Sequence, residues 1–242
     1  MLAFLPAHAL GNGPEITVAA ASDLTFALKE IAANFGKEAG VKAVLTFGST
    51  GMLARQIEQG APFDIFLAAD LKYLESLKEG GYIDTETIEV YAYGRLALAV
   101  NKPSSIEVKE IKDLLNPGVK RIAIANPAHA PYGRAAVEAL KSSGVWEAVK
   151  GKLVFGENIR QALQFVQSGN APAGIVALSI ADVPEVKFME IDVKLHGPIE
   201  QAAGVVAGSK EKALAGQFLR YMKTPASKAI MKRYGFIIPE GK

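Results

Sequence analysis

Short apolar runs alternate with helix-spaced ones along nearly all of this chain, and at two places, residues 87–101 and 197–208, an extended run continues with no helix to break it. The alternation restricts the fold to an α/β class, because a short apolar run followed by a helical apolar stripe is a buried strand and the helix that covers it. Strands are expected at 16–21, 41–47 and 64–69. Leu24, Leu28, Ile31, Ala32 and Phe35 recur at helical spacing, Gly40 ends that helix, and further helices are expected at 52–59 and 72–79. This part reads as a parallel α/β lobe. Beyond residue 101 the alternation resumes, with helices expected at 111–115, 133–142 and 159–167 and strands at 121–125, 152–155 and 173–178.

The run 87–101, TIEVYAYGRLALAVN, is broken only by Gly94 and suits a crossover from one lobe to another. The run 197–208, GPIEQAAGVVAG, carries the chain back, and helices at 211–222 and 226–234 then pack on the first lobe. The expected architecture is a two-lobed α/β clamshell with two extended crossover strands. Lobe I takes residues 14–92 and 197–242, and lobe II takes 93–196.

A length of 242 residues suits two lobes of about a hundred residues each. The net charge of +2 comes from scattered Lys, Arg, Asp and Glu with no basic run, which excludes an ordinary nucleic-acid surface. There is no cysteine, and the three histidines, His8, His129 and His196, have no ligand spacing. Thiolate zinc sites, iron–sulfur clusters and disulfides are excluded, and no cofactor is called for. No stretch of the sequence is long and apolar enough to span a membrane. Residues 1–13 read as a leader or the remnant of a signal peptide, with an apolar 2–6 and Ala7-His8-Ala9 in a cleavage-site pattern but no basic start. The chain is therefore expected to be exported.

Four turns follow strands and open helices: Ser22-Asp23, Gly48-Ser49-Thr50-Gly51, Pro131-Tyr132-Gly133 and Gly156-Glu157-Asn158-Ile159. The first N–H groups of a helix have no internal acceptor, and the helix dipole adds positive potential there. Each turn alone is explained at least as well by capping of its own helix by Ser22, Asp23, Ser49, Thr50, Glu157 or Asn158, or by packing of Tyr132. Taken together they lie at equivalent ends of strands, two per lobe, where ligands of open α/β sheets bind. An uncharged cage for an anion is the shared reading.

The segments ITVAAASDL, FGSTGMLARQIEQGAPFDIFLAAD, NPAHAPYGRAA, ENIRQAL and KRYGF together resemble the periplasmic molybdate-binding proteins of ABC uptake systems, over residues 15–236. The resemblance implies a type II periplasmic binding protein fold and capture of a tetrahedral oxyanion, molybdate or tungstate, by neutral groups. It also implies delivery to the membrane permease of an ABC transporter by a monomer. Carried over by position, it places hydroxyl sites at Ser22 and Asp23 and at Thr50 with Ser49 adjacent. N–H donors then fall at Tyr132 and Ile159.

Two positions depart from the family pattern. Some members have serine where Asp23 stands, and a carboxylate repels a dianion. Asp23 is expected to turn away as a cap and offer only its N–H, with Ser22 giving the hydroxyl. Some members use a tyrosine in the segment that here reads Gly174-Ile175-Val176-Ala177, and Tyr132 is expected to supply that phenol instead. If Asp23 faced inward it would favour a protonated anion such as hydrogen phosphate.

Neutral donors suffice for such a site. Hydrogen bonds to a charged group are worth ~1.5–3 kcal/mol each, so about six or seven of them offset much of the desolvation of a dianion. Two alternatives stay open. One keeps the fold and binds sulfate, phosphate or a small organic anion, although Arg134 and Arg160, the arginines next to the turns, are expected to point outward. The other is an α/β enzyme acting on an anionic substrate, for which the chain has no G-x-S-x-G elbow, phosphate-loop motif or His/carboxylate cluster.

Overall fold

A computed structural model describes residues 13–239, so the expected leader lies outside the described residues except for Gly13. The chain forms two five-stranded sheets, each wrapped by helices. The first begins β1 Glu15–Ala21, α1 Thr25–Ala39, β2 Lys42–Gly48, α2 Thr50–Glu58, β3 Ile65–Ala68, α3 Leu71–Glu79 and β4 Glu89–Gly94. The second takes β5 Leu96–Asn101, β6 Ile122–Ala125, α4 Pro131–Ser142, α5 Trp146–Val149, β7 Leu153–Gly156, α6 Ile159–Gln167, β8 Ala173–Ala177, α7 Leu178–Ala181 and β9 Val186–Glu190. The chain then returns through β10 Ile199–Val205 to α8 Lys212–Met222 and α9 Pro225–Arg233.

The strand orders are β2-β1-β3-β10-β4 and β7-β6-β8-β5-β9. In each sheet four strands run the same way and point their carboxyl ends at the cleft, but β10 and β5 run antiparallel to both their neighbours. Each lobe is thus mixed, where a parallel lobe was expected. The reason is the crossover itself: β5 and β10 both enter their sheets from the cleft, so each runs away from it. The first crossover turns at Arg95, one residue after Gly94. The segment 111–115 is a 3-10 helix rather than an α-helix, and β9 had not been expected. Its sequence, VKFME, lies at the sheet edge with only Val186 buried, and its apolar residues are interrupted by Lys187, so no continuous apolar run marks it as a buried strand.

Both faces of the first sheet are covered. Leu28, Ile31 and Phe35 of α1 pack with Phe218 and Met222 of α8 and Ile230 of α9 on one face, as expected, while Leu53 and Ile57 of α2 meet Leu74 and Leu77 of α3 on the other. The Phe35 and Phe218 rings meet edge to face at 5.1 Å. A third core fills the second lobe and reaches across the cleft to include Ala21 and Ala69. Gly40 closes α1 with φ 69°, the left-handed C-cap that glycine adopts without strain.

Candidate functional site

The helices α2, α4 and α6 all start at the cleft, directly after parallel strands or the short turns that follow them. Their starts converge on a small cavity. Ser22, Asp23, Ser49, Thr50, Tyr132 and Ile159 all line it, and all are buried. Ala21, Gly48, Ala69, Ala130 and Pro131 complete the wall, which holds no Lys or Arg among the described residues.

The donors are backbone N–H groups and one hydroxyl. Thr50, Tyr132 and Ile159 stand at the first or second position of their helices, and their N–H groups have no backbone acceptor among the described residues. Pro131 at the start of α4 has no N–H to offer, so Tyr132 carries the first donor of that helix. The Thr50 hydroxyl accepts the Ala69 N–H at 3.1 Å, which fixes its oxygen and leaves its own proton free for the cavity.

The neighbouring hydroxyls are engaged. Ser49 caps α2, accepting the Met52 N–H at 3.4 Å, and its Oγ lies 2.7 Å from His129 Nδ1. Burial, then the charge of Arg55, lowers the pKa of His129 and favours its neutral ring. Ser22 donates to the Gly48 carbonyl at 3.1 Å. Asn158 caps α6 by accepting the Gln161 N–H, and the Glu157 N–H donates to the Gln161 side chain.

Three expectations about side chains need correction. Asp23 does not cap: neither the Ser22–Leu24 turn nor α1 has a side-chain cap. It is completely buried, and its Oδ2 accepts the Tyr132 phenol at 2.9 Å. The Tyr132 phenol therefore faces Asp23, and the residue meets the cavity through its N–H. Burial, partly offset by that hydrogen bond, pushes the Asp23 pKa up to about 7. Arg134 does not point outward: it crosses the cleft to Asp70 at 2.6 Å and to the Tyr73 hydroxyl at 3.1 Å. Arg160 donates to Gln167 on its own helix at 3.1 Å, and its guanidinium lies 5.3 Å from the Phe26 ring centre on the other lobe.

Further residues join the lobes, through contacts that the sequence did not foretell. The Gly51 N–H donates to the His129 carbonyl at 2.9 Å, and a Cβ on Gly51 would come within 2.9 Å of that oxygen and of the Tyr73 hydroxyl. Gly94 leaves room for the Tyr132 hydroxyl, which a Cβ there would meet at 2.1 Å. Ser179 donates to the Asp23 carbonyl at 2.8 Å. Tyr91 donates to Gln201, which donates to Tyr132, both at 3.4 Å, so the crossover strands connect to Asp23. His129, Gly51 and Asp70 stand inside the motifs that carried the resemblance. Their contacts depend on the facing lobe and have no local signal.

The chain matches the family model for bacterial extracellular solute-binding protein over residues 16–237. It is 39% identical over 227 residues to the molybdate-binding protein ModA of Azotobacter vinelandii, covering 92% of this chain and 89% of that one. With the molybdate-binding protein ModA of Escherichia coli K12 it shares 38% over 241 residues, covering 96% and 92%. Among solved structures, the periplasmic molybdate-binding protein of Azotobacter vinelandii superposes with a TM-score of 0.87 at 32% identity, covering 93% of this chain and all of that one.

Proposed function

The chain belongs to the bacterial extracellular solute-binding proteins, and from that premise we propose that its cavity captures molybdate, and tungstate as an ion of nearly the same size and charge, for an ABC transporter. One observation carries the reading. Three unaccepted N–H groups and the free Thr50 proton, from both lobes, converge on a small wall without a cation. Such a set is complementary to fully deprotonated oxygens, because every contact it offers is a donor. The engagement of Arg134 by Asp70, and of Arg160 by Gln167 and the Phe26 ring, counts against an organic carboxylate, which an arginine fork would normally meet.

The site residues are Ser22, Asp23, Ser49, Thr50, Tyr132 and Ile159. Thr50 donates through its hydroxyl and N–H, Tyr132 and Ile159 donate through N–H groups, and Ser22 and Ser49 shape the wall. The lobes divide as 14–92 with 197–242 against 93–196, a division supported by the two sheets. The protein is an exported monomer that hands its ligand to a membrane permease and catalyses no reaction. Titration calorimetry with molybdate, tungstate, sulfate and phosphate tests this. Molybdate and tungstate are expected to bind much more tightly than the other two, and sulfate binding as tightly as molybdate would overturn the selectivity.

A further inference from the structure

Asp23 is the one acidic side chain in the cavity wall among the described residues, and only half of its carboxyl is accounted for. Oδ2 accepts the Tyr132 phenol, whereas Oδ1 is buried without a hydrogen-bond partner. A buried, unsatisfied carboxyl oxygen is unfavourable, and beside a dianion an ionised one is worse, since two acceptors then face each other in a medium that screens little. A proton on Oδ1 removes both penalties and turns the repulsive contact into a donated hydrogen bond.

We propose that Asp23 is protonated when the cavity is filled and donates from Oδ1 to the oxyanion, so that a dianion is captured together with one proton. This rests on the oxyanion reading above and adds the protonation state of its one acidic residue.

Burial favours the neutral acid and outweighs the hydrogen bonds from Tyr132, its own N–H and Gln201, which favour the carboxylate. Tyr132 of α4, Tyr91 of β4 and Gln201 of β10 face the carboxyl, and burial pushes both phenols well above their ordinary range, so neither titrates near neutrality. The Ser22–Leu24 turn packs against α1, β2, α6 and α7. On α1, Lys29 lies over the Phe47 ring and Glu30 pairs with Arg233. On β2, Lys42 pairs with Glu15. On α6, Arg160 lies over Phe26, and α7 brings only the Ser179 hydroxyl to the Asp23 backbone. On α4, Arg134 is held by Asp70. Among the described residues, no cation is placed to hold Asp23 ionised.

The sign of the pH dependence follows. With a pKa of about 7 before the ligand enters, Asp23 already carries its proton in mild acid, and binding there takes up none. A neighbouring dianion raises that pKa further, so above neutrality each bound ion draws in up to one proton. Apparent affinity then falls by as much as ~10-fold per pH unit, until the pKa of the bound state is passed.

The test is calorimetry of the full chain with molybdate and with tungstate, from about pH 6 to pH 9, in buffers of different ionisation enthalpy that report protons taken up. Expected are a proton count rising from near zero toward one as pH rises, a parallel loss of affinity, and disappearance of both in Asp23→Asn. Binding with no proton uptake and a flat pH profile would overturn the proposal and leave the oxyanion reading standing. Proton uptake that survives in Asp23→Asn would assign the proton to another group and overturn it too. Tight phosphate binding that is lost in Asp23→Asn would make Asp23 an ionised acceptor for a hydrogen oxyanion, the opposite state. Failure of both metal oxyanions to bind would remove the oxyanion reading and this inference together. Should Asp23→Asn not fold, the proton count of the unaltered chain decides alone.

Discussion

The first lobe meets the cavity with hydroxyl-bearing turns at Ser22, Ser49 and Thr50, whereas the second meets it with bare N–H groups at Tyr132 and Ile159, on helices whose side chains reach across to the other lobe. The difference separates two tasks. A hydroxyl oriented by its own lobe, as Thr50 is by Ala69, is in place before the cleft closes. The N–H groups of α4 and α6 become useful only when their lobe is docked. The docking contacts, His129 on Ser49 and Gly51 and Arg134 on Asp70 and Tyr73, belong to that same lobe. On the proposed reading, in which the lobes close on the ligand, the first lobe is the holding half and the second the closing half.

The largest effect is expected from blocking closure without touching a donor. In Gly51→Ala the new Cβ meets His129 and Tyr73, so the closing half is held off and two or more charge-assisted hydrogen bonds are lost. Affinity for molybdate should fall ~100-fold or more, with little change in melting temperature of the unliganded protein. Scattering profiles should then stay open at saturating ligand. A variant that closes and binds normally would break the division of tasks.

Thr50→Ala comes next. It removes the one wall hydroxyl whose proton is free, and a ~10- to 100-fold weaker Kd is expected by calorimetry, with some loss of stability because the Ala69 N–H is left without its acceptor. An unchanged Kd would take Thr50 out of the holding half.

Arg134→Gln tests the closing half from outside the cavity. The Asp70 pair is partly exposed, so solvent screening keeps its worth to ~0.2–1 kcal/mol. A few-fold faster dissociation with unaltered association is expected in stopped-flow measurements, and a slowed association instead would mean that Arg134 steers the ligand. Ser22→Ala should do least to affinity, within about twofold, because the Ser22 proton already goes to the Gly48 carbonyl. A loss as large as that of Thr50→Ala would show that Ser22 turns to the ligand on binding.

Much of the fold was legible because it is written in local periodicity. The helix at 159–167 falls where its apolar spacing put it, and the runs 87–101 and 197–208 cross between the sheets. The antiparallel sense of β5 and β10 was not legible, since a strand's direction depends on the end from which the chain enters the sheet. The edge strand β9 was missed because an exposed strand has no buried face to impose an apolar pattern. At the site, the positions of the four turns could be read, but not the work of their side chains.

Helix starts are local events, and so the sequence alone determined that Ser49-Thr50, Pro131-Tyr132 and Asn158-Ile159 would present unpaired donors after strands, with no cation needed beside them. Whether a given side chain caps, packs, crosses the cleft or faces the ligand is settled by what stands opposite, and that partner lies far away in sequence. Tertiary structure alone turned Asp23 from an expected cap into a buried acid under Tyr132, 109 residues on, and drew Arg134 to Asp70. Asp23 shows the physical reason most directly: a carboxyl's charge depends on the water it has lost and the groups it has gained, and neither exists until the two lobes meet.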